Sequence, residues 1–426
     1  MPGRSRLPQS GPGVRASGAV AVAITLANAL AYLSLLVVAR LSSLSEFGDV
    51  VALQGLITIG NVAALGIAAV TARATAHGEA SGNDPDQIAA SWRRPMLAVA
   101  GATTGLALLM APGLAWALRF SGPGGCLAAA ATLAPLAVLA YVTGRLQGLQ
   151  RFVRLSGYVL CAAAARALGG VIGIAWGGTA TLSVVGGALG LAAVAALAWT
   201  LDRGPSPRPG PAEPEPIEPV RAWGQAAGAL LGVFVLTNTD LLVARVVLSP
   251  AQADVYAAGS VLAKAAFWLP SFVAIVALPS LSDTQRRREA LRRGLAVLGA
   301  ISVVVIVGAT VLGSLAAWLV GASDTAVARW AGLFAAIGCG YAVVQFLVYA
   351  RIGRAASSGL WLLLAAACLL AGLALLVRPD LIALAALALA VSVGTAVVLL
   401  ALEARSGQPS STSSGAGHAA GANNGA

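Results

Sequence analysis

The stretch LVVAR at positions 36–40 is followed, nine residues after its arginine, by the dipeptide DV at 49–50. The same layout recurs 205 positions further on, as LLVAR at 241–245 and DV at 254–255. In both copies an apolar segment ends in arginine, a short polar turn follows, and an aspartate opens a second apolar segment. A repeated helix pair at one fixed spacing predicts a chain built from two similar halves.

The composition is that of a protein that crosses a membrane many times. Of the 426 residues, 58% are hydrophobic and only 10% are charged. Apolar runs long enough to cross a bilayer, about twenty residues each, recur along the whole chain. Because lipid offers the backbone no hydrogen-bond partners, each run is predicted to be an α-helix. We therefore predict an all-α polytopic membrane protein with about twelve transmembrane helices.

A linker divides these helices into two sets of six. Residues 201–221 hold seven prolines and no apolar period, which is typical of an extended segment. It separates an N-terminal lobe (18–200) from a C-terminal lobe (222–402), and the tails are predicted at 1–17 and, disordered, at 403–426. The predicted transmembrane segments cover residues 18–39, 50–71, 95–118, 125–143, 156–177, 179–200, 222–244, 254–279, 294–320, 328–350, 357–377 and 380–402.

The distribution of arginines predicts the orientation. With the N-terminus inside, twenty arginines fall on the cytoplasmic side and five on the outer side, which places both termini in the cytoplasm. Six helices per half then make the halves parallel repeats, related by an axis along the membrane normal. The single lysine among 27 basic residues is typical of a high-GC bacterial genome, so the predicted location is a bacterial plasma membrane. The net charge of +11 reflects the excess of arginines on the predicted cytoplasmic side. It does not indicate a nucleic-acid partner.

The sequence offers little material for catalysis. The four cysteines lie in or beside apolar segments without metal-type spacing, and the two histidines lie in a loop and in the tail. No nucleophile–base pair, paired carboxylates or phosphate-binding glycine loop is found, and the outer loops are short. We expect no enzymatic activity, no disulfide, no metal and no cofactor.

Two cations are predicted near the middle of transmembrane helices, Arg166 in the fifth and Lys264 in the eighth. A charge at that depth costs about 2.5–3.5 kcal/mol even on lenient insertion scales, so each should face a cavity or a partner. Ser260, Lys264 and Trp268 share one helix face. That face suits an anionic head group carrying a sugar, and it equally suits a lysine–tryptophan cation–π pair in the core.

Polar residues recur in other helices. Gln54 and Asn61 lie on one face of the second helix and Asn28 lies in the first, where they would line a wet cleft or join packed helices by hydrogen bonds. Asp240 is the one carboxylate well inside a predicted helix. It would carry a coupling proton or sodium ion, or neutralise Arg245 or Lys264. Because it lies about one turn from the outer end of the helix, an interfacial structural role is also open. The repeat arginines, Arg40 and Arg245, would either snorkel to the outer surface or hold phosphate at the cavity mouth.

These residues carry a resemblance to a known family. The stretches 35–67 (LLVVARLSSLSEFGDVVALQGLITIGNVAALGI) and 238–283, about a fifth of the chain, resemble bacterial polysaccharide flippases of the multidrug/oligosaccharidyl-lipid/polysaccharide (MOP) exporter superfamily. The shared features are helix 1 ending in arginine, a Gly-containing turn with an acidic and an aromatic residue, an aspartate in helix 7 and a tyrosine opening helix 8.

The resemblance implies a V-shaped, MOP/MATE-like pair of six-helix lobes around a central cationic cavity, formed chiefly by helices 1, 2, 7 and 8. It implies a flippase that moves a polyprenyl-diphosphate-linked oligosaccharide from the inner to the outer leaflet by alternating access. Arg166, on helix 5, fits this cavity less well. The residues that fall on the cavity helices are Lys264, Trp268, Ser260, Gln54, Asn61, Asn28 and Asp240.

Two other functions remain open from the sequence. One is an ion-coupled small-molecule or multidrug antiporter. An exporter of drug cations should carry more acidic than cationic residues in its lumen, whereas this chain has Lys264 and Arg166 against Asp240. The other is a non-transporting membrane subunit of a glycan-assembly complex. The expected partners are the lipid-linked oligosaccharide, membrane lipids, a coupling proton or sodium ion and glycan-assembly proteins.

Overall fold

The structure, a computed structural model, describes residues 12–80, 84–205, 218–282, 287–319, 325–352 and 359–405. The regular elements within those residues are all α-helices. Their bounds are α1 (Pro12–Leu41), α2 (Leu44–Gly60), α3 (Val62–Ala80), α4 (Pro85–Ala117), α5 (Gly124–Ala131), α6 (Leu133–Gly148), α7 (Phe152–Gly177), α8 (Ala180–Asp202), α9 (Glu218–Val247), α10 (Pro250–Ser282), α11 (Arg287–Val311), α12 (Gly313–Leu319), α13 (Thr325–Ile352), α14 (Gly359–Val377) and α15 (Leu381–Arg405).

Three pairs of these helices each form one pass. α2 and α3 meet at Asn61, α5 and α6 at Thr132, and α11 and α12 at Leu312. The interruptions are slight, since the Asn61 amide still donates to the Ile57 carbonyl at 2.8 Å. Ten passes among the described residues are long and apolar enough to cross a membrane. With α9 and α10, which are 30 and 33 residues long, the chain makes the twelve predicted passes of a multi-pass membrane protein.

The two halves of the chain repeat the same packing. In the first half α1 packs on α7, α7 on α8, α6 on α8, α3 on α6 and α4 on α6. The second half reproduces each of these contacts, with α9 on α14, α14 on α15, α13 on α15, α10 on α13 and α11 on α13. Each set of six passes therefore forms one lobe, and the prediction of two parallel-related six-helix lobes is confirmed.

The lobes meet along α2, which packs against α9 and α10 of the C-terminal lobe, while α3 also contacts α9. Two glycines of α2 allow this approach. A Cβ atom on Gly48 would lie 2.8 Å from a carboxylate oxygen of Asp254, and one on Gly55 would lie 3.1 Å from the amide oxygen of Asn238. The seam between the lobes is thus built from the first repeat motif packed against the second.

Glycines also bring α7 and α8 into backbone contact. A Cβ atom on Gly169 would lie 2.1 Å from the Gly186 carbonyl oxygen, and one on Gly173 would lie 2.0 Å from the Leu182 carbonyl oxygen. Gly190 approaches the Ala165 carbonyl in the same way. Glycines four residues apart on facing helices are a recurrent packing device in membranes, because apolar side chains gain nothing by leaving lipid.

A buried polar cluster closes the end of the N-terminal lobe where α6 and α8 finish. Arg145 forms an ion pair with Asp86 at 2.6 Å and donates to the Asp202 carbonyl at 2.8 Å. The Asp202 carboxylate in turn accepts from Arg154 and from the Tyr158 hydroxyl, each at 2.7 Å. The C-terminal lobe has a counterpart at the ends of α13 and α15, where Arg351 lies 3.6 Å from Glu403. We call this side of the bundle the Arg145 end and the opposite side the Arg40 end.

Several helices extend beyond the predicted apolar segments. α4 begins at Pro85 instead of 95, because Asp84 caps its N-terminus by accepting from the Asp86 amide at 3.0 Å. Arg93 is consequently on a helix and not in a loop. Arg145 and Arg351, also predicted in loops, lie in the last turns of buried helix ends, where their ion pairs offset the burial of charge. The predicted tails up to residue 11 and beyond 405, and linker residues 206–217, lie outside the described residues and stay predictions.

The close packing of α7 on α8 can be tested with one glycine variant at the contact and a control variant on the same helix. Gly169→Val would drive two methyl groups into the Gly186 backbone and should destabilise the fold by about 1–3 kcal/mol or more. Gly157→Val, on the same helix, is the control, because a Cβ there meets nothing within 4 Å. Thermal unfolding in detergent should show a lower transition for the first variant alone. Equal transitions for the two variants would contradict the close packing.

Candidate functional site

Arg166 lies half-buried in the middle of α7, and its guanidinium donates a hydrogen bond to the side-chain oxygen of Gln54 on α2. The structure therefore brings together two residues that the sequence predicted separately. Gln54 is a neutral amide, and a guanidinium has five N–H donors. Among the described residues we find no carboxylate paired with Arg166, so most of its hydrogen-bonding capacity is open.

Lys264 lies half-buried in the middle of α10, on the other lobe. Its ammonium group forms no hydrogen bond or close ion pair with another residue in the described part of the chain. Asp240 on α9 is near enough to interact with it electrostatically. Each lobe therefore has one cation in the middle of a long helix, and neither cation has the carboxylate contact that normally accompanies a buried charge.

Asp240 is 4% exposed and accepts a hydrogen bond at 3.1 Å from the hydroxyl of Tyr256 on α10. Tyr341 on α13 is also buried near Asp240, and its hydroxyl has no hydrogen-bond partner among the described residues. We name Asp240, Tyr256, Lys264 and Tyr341 the C-lobe polar cluster. A carboxylate with hydroxyl groups around it offers the oxygen ligands that a proton or a hard cation needs.

The remaining predicted residues differ in their surroundings. Ser260 is buried, and its hydroxyl donates to the Ala257 carbonyl of its own helix at 2.7 Å, so the group is already engaged. Trp268 is half-buried and contacts Phe267 edge to face, with ring centroids 5.4 Å apart. Asn28 on α1 and Asn61 between α2 and α3 are half-buried, and their side chains form no hydrogen bond within the described part of the chain.

At the Arg40 end, Arg245 joins the two lobes. Its guanidinium forms an ion pair with Asp49 of α2, donates to the Leu118 carbonyl after α4 at 3.1 Å and lies 4.5 Å from the ring centre of Phe120. Arg245 is 9% exposed and Asp49 is 15% exposed at the side chain. The sequence had suggested Asp240 as a partner for Arg245, but the carboxylate that reaches it belongs to the other repeat.

Two further contacts join the lobes beside this pair. Arg40 donates to the Trp318 carbonyl of α12, with its guanidinium 4.0 Å from the centre of the indole ring. Arg119 donates to the Leu248 carbonyl at 3.3 Å. The set Arg40, Asp49, Arg119, Arg245 and Trp318 is called the clasp below.

The clasp was the part of the site that the sequence pattern left incomplete. The fixed offset between arginine and aspartate in both repeats was visible, but the offset does not say that the aspartate of one copy meets the arginine of the other. The expected choice for Arg40 and Arg245, between snorkelling and phosphate binding, did not include contacts across the seam. The sequence pattern likewise did not identify Tyr256 and Tyr341 as neighbours of Asp240.

Comparisons with known proteins bear on the fold. No protein-family model matches the chain, and no curated protein matches its sequence. A multidrug resistance MATE family transporter of the MOP superfamily, solved in an inward-facing conformation, is 12% identical with a TM-score of 0.67, over 88% of this chain and 93% of that one. The eukaryotic MATE transporter AtDTX14 is 15% identical with a TM-score of 0.66, over 92% and 94%.

The chain has the fold of the MATE transporters of the MOP superfamily. The predicted MOP/MATE-like architecture is therefore confirmed, whereas membership of the superfamily and of its polysaccharide branch remains a proposal. A MOP superfamily transporter from Pyrococcus furiosus, 13% identical with a TM-score of 0.54 over 91% of this chain and 93% of that one, is described by the reversed polarity of its binding pocket. At these identities the likeness concerns the fold alone.

In this MATE-like fold the clasp can be measured as a coupling energy. Asp49→Asn and Arg245→Gln should each cost about 2–5 kcal/mol, because each leaves a buried charged partner unpaired. The double variant should cost less than the sum by about 0.5–3 kcal/mol. The unfolding transitions of the wild type, the two single variants and the double variant, measured in detergent, would give this double-mutant cycle.

The exposed pair of Glu289 and Arg293, one turn apart on α11, is the control for that cycle. An exposed helix pair should show a coupling of about 0.3–0.5 kcal/mol. A clasp coupling no larger than this control would mean that Asp49 and Arg245 do not hold the lobes together.

Proposed function

We propose that this protein is a flippase that moves a polyprenyl-diphosphate-linked oligosaccharide from the inner to the outer leaflet. The observation that carries the proposal is the pair of incompletely compensated cations, Arg166 and Lys264, one in the middle of each lobe. Charges at this depth are costly and are retained where a substrate or a partner uses them. A diphosphate supplies several acceptor oxygens for guanidinium and ammonium donors.

The polar residues around the cations suit the other part of such a substrate. Gln54, Asn61 and Asn28 offer amides that bind sugar hydroxyl groups, and Trp268 offers an apolar plate close to Lys264 along α10. Covalent chemistry is not required, because the substrate only changes sides. The lobes would alternate between two arrangements, and the clasp would have to open for the substrate to leave at the Arg40 end.

We further propose that the Arg40 end faces the outside of a bacterial plasma membrane and that both termini are cytoplasmic. The excess of arginines at the Arg145 end supports this orientation. In the present arrangement the clasp then closes the outer side. Phosphate binding by Arg40 and Arg245 would begin only after release from Trp318 and Asp49.

Transport against a gradient needs an energy source, and Asp240 is the proposed coupling residue. The Asp240 carboxylate accepts from the Tyr256 hydroxyl and lies near Lys264. A proton or sodium ion bound at Asp240 would therefore change the electrostatic field at Lys264, which we propose contacts the substrate. This cluster equally favours an ion-coupled antiporter, which is the second candidate function. A lipophilic drug cation would be repelled by Arg166 and Lys264, so an antiporter of this chain should prefer anionic solutes.

The first experiment is transbilayer movement of a labelled polyprenyl-diphosphate oligosaccharide in proteoliposomes. Lys264→Ala should lower the initial rate about tenfold or more, since a charge-assisted hydrogen bond contributes about 1.5–3 kcal/mol. Lys264→Arg should retain part of the rate, and Arg166→Gln should also lower it. The control is Arg329→Ala, an exposed arginine on α13, which should leave the rate unchanged.

Other results would redirect the assignment. Movement that all four variants leave intact would demote the two cations to structural residues. Absence of movement by well-folded wild-type protein, together with uptake of a small anion, would favour the antiporter. Absence of both would favour a non-transporting subunit of a glycan-assembly complex.

The orientation has its own test. Ser249→Cys, in the exposed turn between α9 and α10, should react with a membrane-impermeant maleimide on intact spheroplasts. Arg151→Cys, in the exposed turn before α7, should react only after permeabilisation. The parent chain, whose exposed cysteines Cys161 and Cys368 lie within apolar helices, sets the background. The reverse labelling pattern would invert the proposed topology.

A further inference from the structure

A second carboxylate lies within electrostatic reach of Arg245. Asp254, nine residues further along the chain, occupies the second turn of α10 and interacts with both Arg245 and Asp49. It is half-buried, and its carboxylate accepts no hydrogen bond from a residue in the described part of the chain. The backbone of α2 covers it, because a Cβ on Gly48 would lie 2.8 Å from one of its carboxylate oxygens. Asp254 is therefore a carboxylate beside the clasp that the closed arrangement leaves without a direct partner.

The closed seam also leaves polar atoms of α9 unsatisfied. One terminal nitrogen of the Arg245 guanidinium, Nη1, is buried and has no hydrogen-bond partner among the described residues. The same is true of the side-chain oxygen of Asn238, which faces Gly55 of α2. A buried polar group without a partner destabilises the arrangement that contains it. Both side chains thus retain hydrogen-bonding capacity that the closed seam does not use.

The two aspartates beside Arg245 belong to different lobes. Asp49 is on α2 of the N-terminal lobe, and the Leu118 carbonyl that also accepts from Arg245 belongs to the same lobe. Asp254 is on the lobe of Arg245 and in the same helix hairpin, since only two residues separate α9 from α10. Separation of the lobes at the Arg40 end would remove Asp49 and Leu118 and leave Asp254 in place. A buried cation that loses its paired carboxylate is strongly destabilised, so Asp254 lowers the free energy that opening requires.

We propose that Arg245 exchanges partners when the Arg40 end opens, leaving Asp49 of the N-terminal lobe and pairing with Asp254 of its own lobe. This inference goes beyond the proposed function, because it requires only that the lobes separate at this end and holds for any solute. The repeat then has a physical role. The arginine of the second copy pairs with the aspartate of the first copy when the end is closed, and with the aspartate of its own copy when the end is open. The first copy carries the same residues, so the released Asp49 has Arg40 on its own lobe.

The test measures the separation of the lobes at the Arg40 end in the full chain, reconstituted in nanodiscs. Spin labels on Ser121→Cys and Val377→Cys, which are exposed positions at that end of the N-terminal and C-terminal lobes, report the distance by double electron–electron resonance. The exposed cysteines Cys161 and Cys368 are replaced by serine in every sample. Trp318→Ala, at an exposed side chain, removes the ring that Arg40 contacts, so that the open and closed arrangements should both be populated.

In that background the two aspartates should act in opposite directions. Asp254→Asn should lower the ratio of long to short distances about tenfold, because it removes the charge-assisted hydrogen bond of the open arrangement. Asp254→Glu keeps the carboxylate and should retain part of the ratio. Asp49→Asn should raise the ratio, because it removes the partner of Arg245 in the closed arrangement.

Asp380→Asn is the matched control. Asp380 lies at the same end of the C-terminal lobe and caps α15 by accepting from the Ala383 amide at 2.8 Å, a hydrogen bond that asparagine also accepts. This variant should leave the ratio unchanged, although the lost charge is close to the label. An Asp254→Asn ratio that equals or exceeds the control value would overturn the exchange. A single distance in every variant would overturn it too, because the lobes would then not separate at this end.

Transport assays separate this inference from the proposed function. Distances that follow the prediction, together with wild-type protein that fails to move the oligosaccharide, would leave the partner exchange standing and overturn the flippase proposal. Wild-type transport together with equal ratios for Asp254→Asn and Asp380→Asn would overturn the exchange and leave the flippase proposal standing.

Discussion

The guanidinium of Arg245 connects the two lobes through three kinds of contact at once. It forms an ion pair with Asp49, donates to the carbonyl of Leu118 and lies against the ring of Phe120. Arginine can do this because its planar group carries donors in several directions and stacks on aromatic faces. The glycines at positions 48 and 55 complete the contact by letting α2 approach the second repeat. At the Arg40 end, this one side chain therefore supplements the apolar packing between the lobes with directional polar contacts.

Arg166 and Arg245 show how the same residue type can have opposite roles in one chain. Arg245 has a carboxylate and a carbonyl, so its charge is compensated within the protein. Arg166 has a single amide partner among the described residues, and its remaining donors are available to a ligand. In a medium of low polarity an uncompensated cation attracts anions strongly. The contrast is the physical basis for assigning one arginine to structure and the other to the proposed substrate site.

The sequence predicted the fold class well, because the two strongest signals of a membrane protein were present. Apolar runs set the twelve passes, and the Arg–Asp repeat indicated the duplication. The helix ends were less predictable, since α4 extends to Pro85 through a capped polar turn that hydropathy does not detect. The Gly169/Gly173 and Gly186/Gly190 pairs were visible in the sequence, but only three-dimensional packing distinguishes them from the lipid-facing glycines nearby.

For the candidate site, the sequence located the charged residues but not their partners. Arg166 and Gln54 were both singled out, yet 112 positions separate them, and no periodicity links residues on different helices. The same holds for Arg245 and Asp49. Ser260 shows the converse limit, because its spacing to Lys264 suggested a shared binding face while its hydroxyl is bound to the Ala257 carbonyl.

The clasp has a further property that follows from its asymmetry. Arg40 and Arg245 occupy equivalent places in the two repeats, but Arg40 is exposed and holds only a carbonyl and an indole face, whereas Arg245 is buried. Exposed contacts open with a smaller free energy than buried ones. Opening of the Arg40 end would therefore proceed in sequence, from the Trp318 side inwards, with the Asp49 pair separating last. The order in which these contacts break is therefore a property of the duplicated chain, and neither repeat has it by itself.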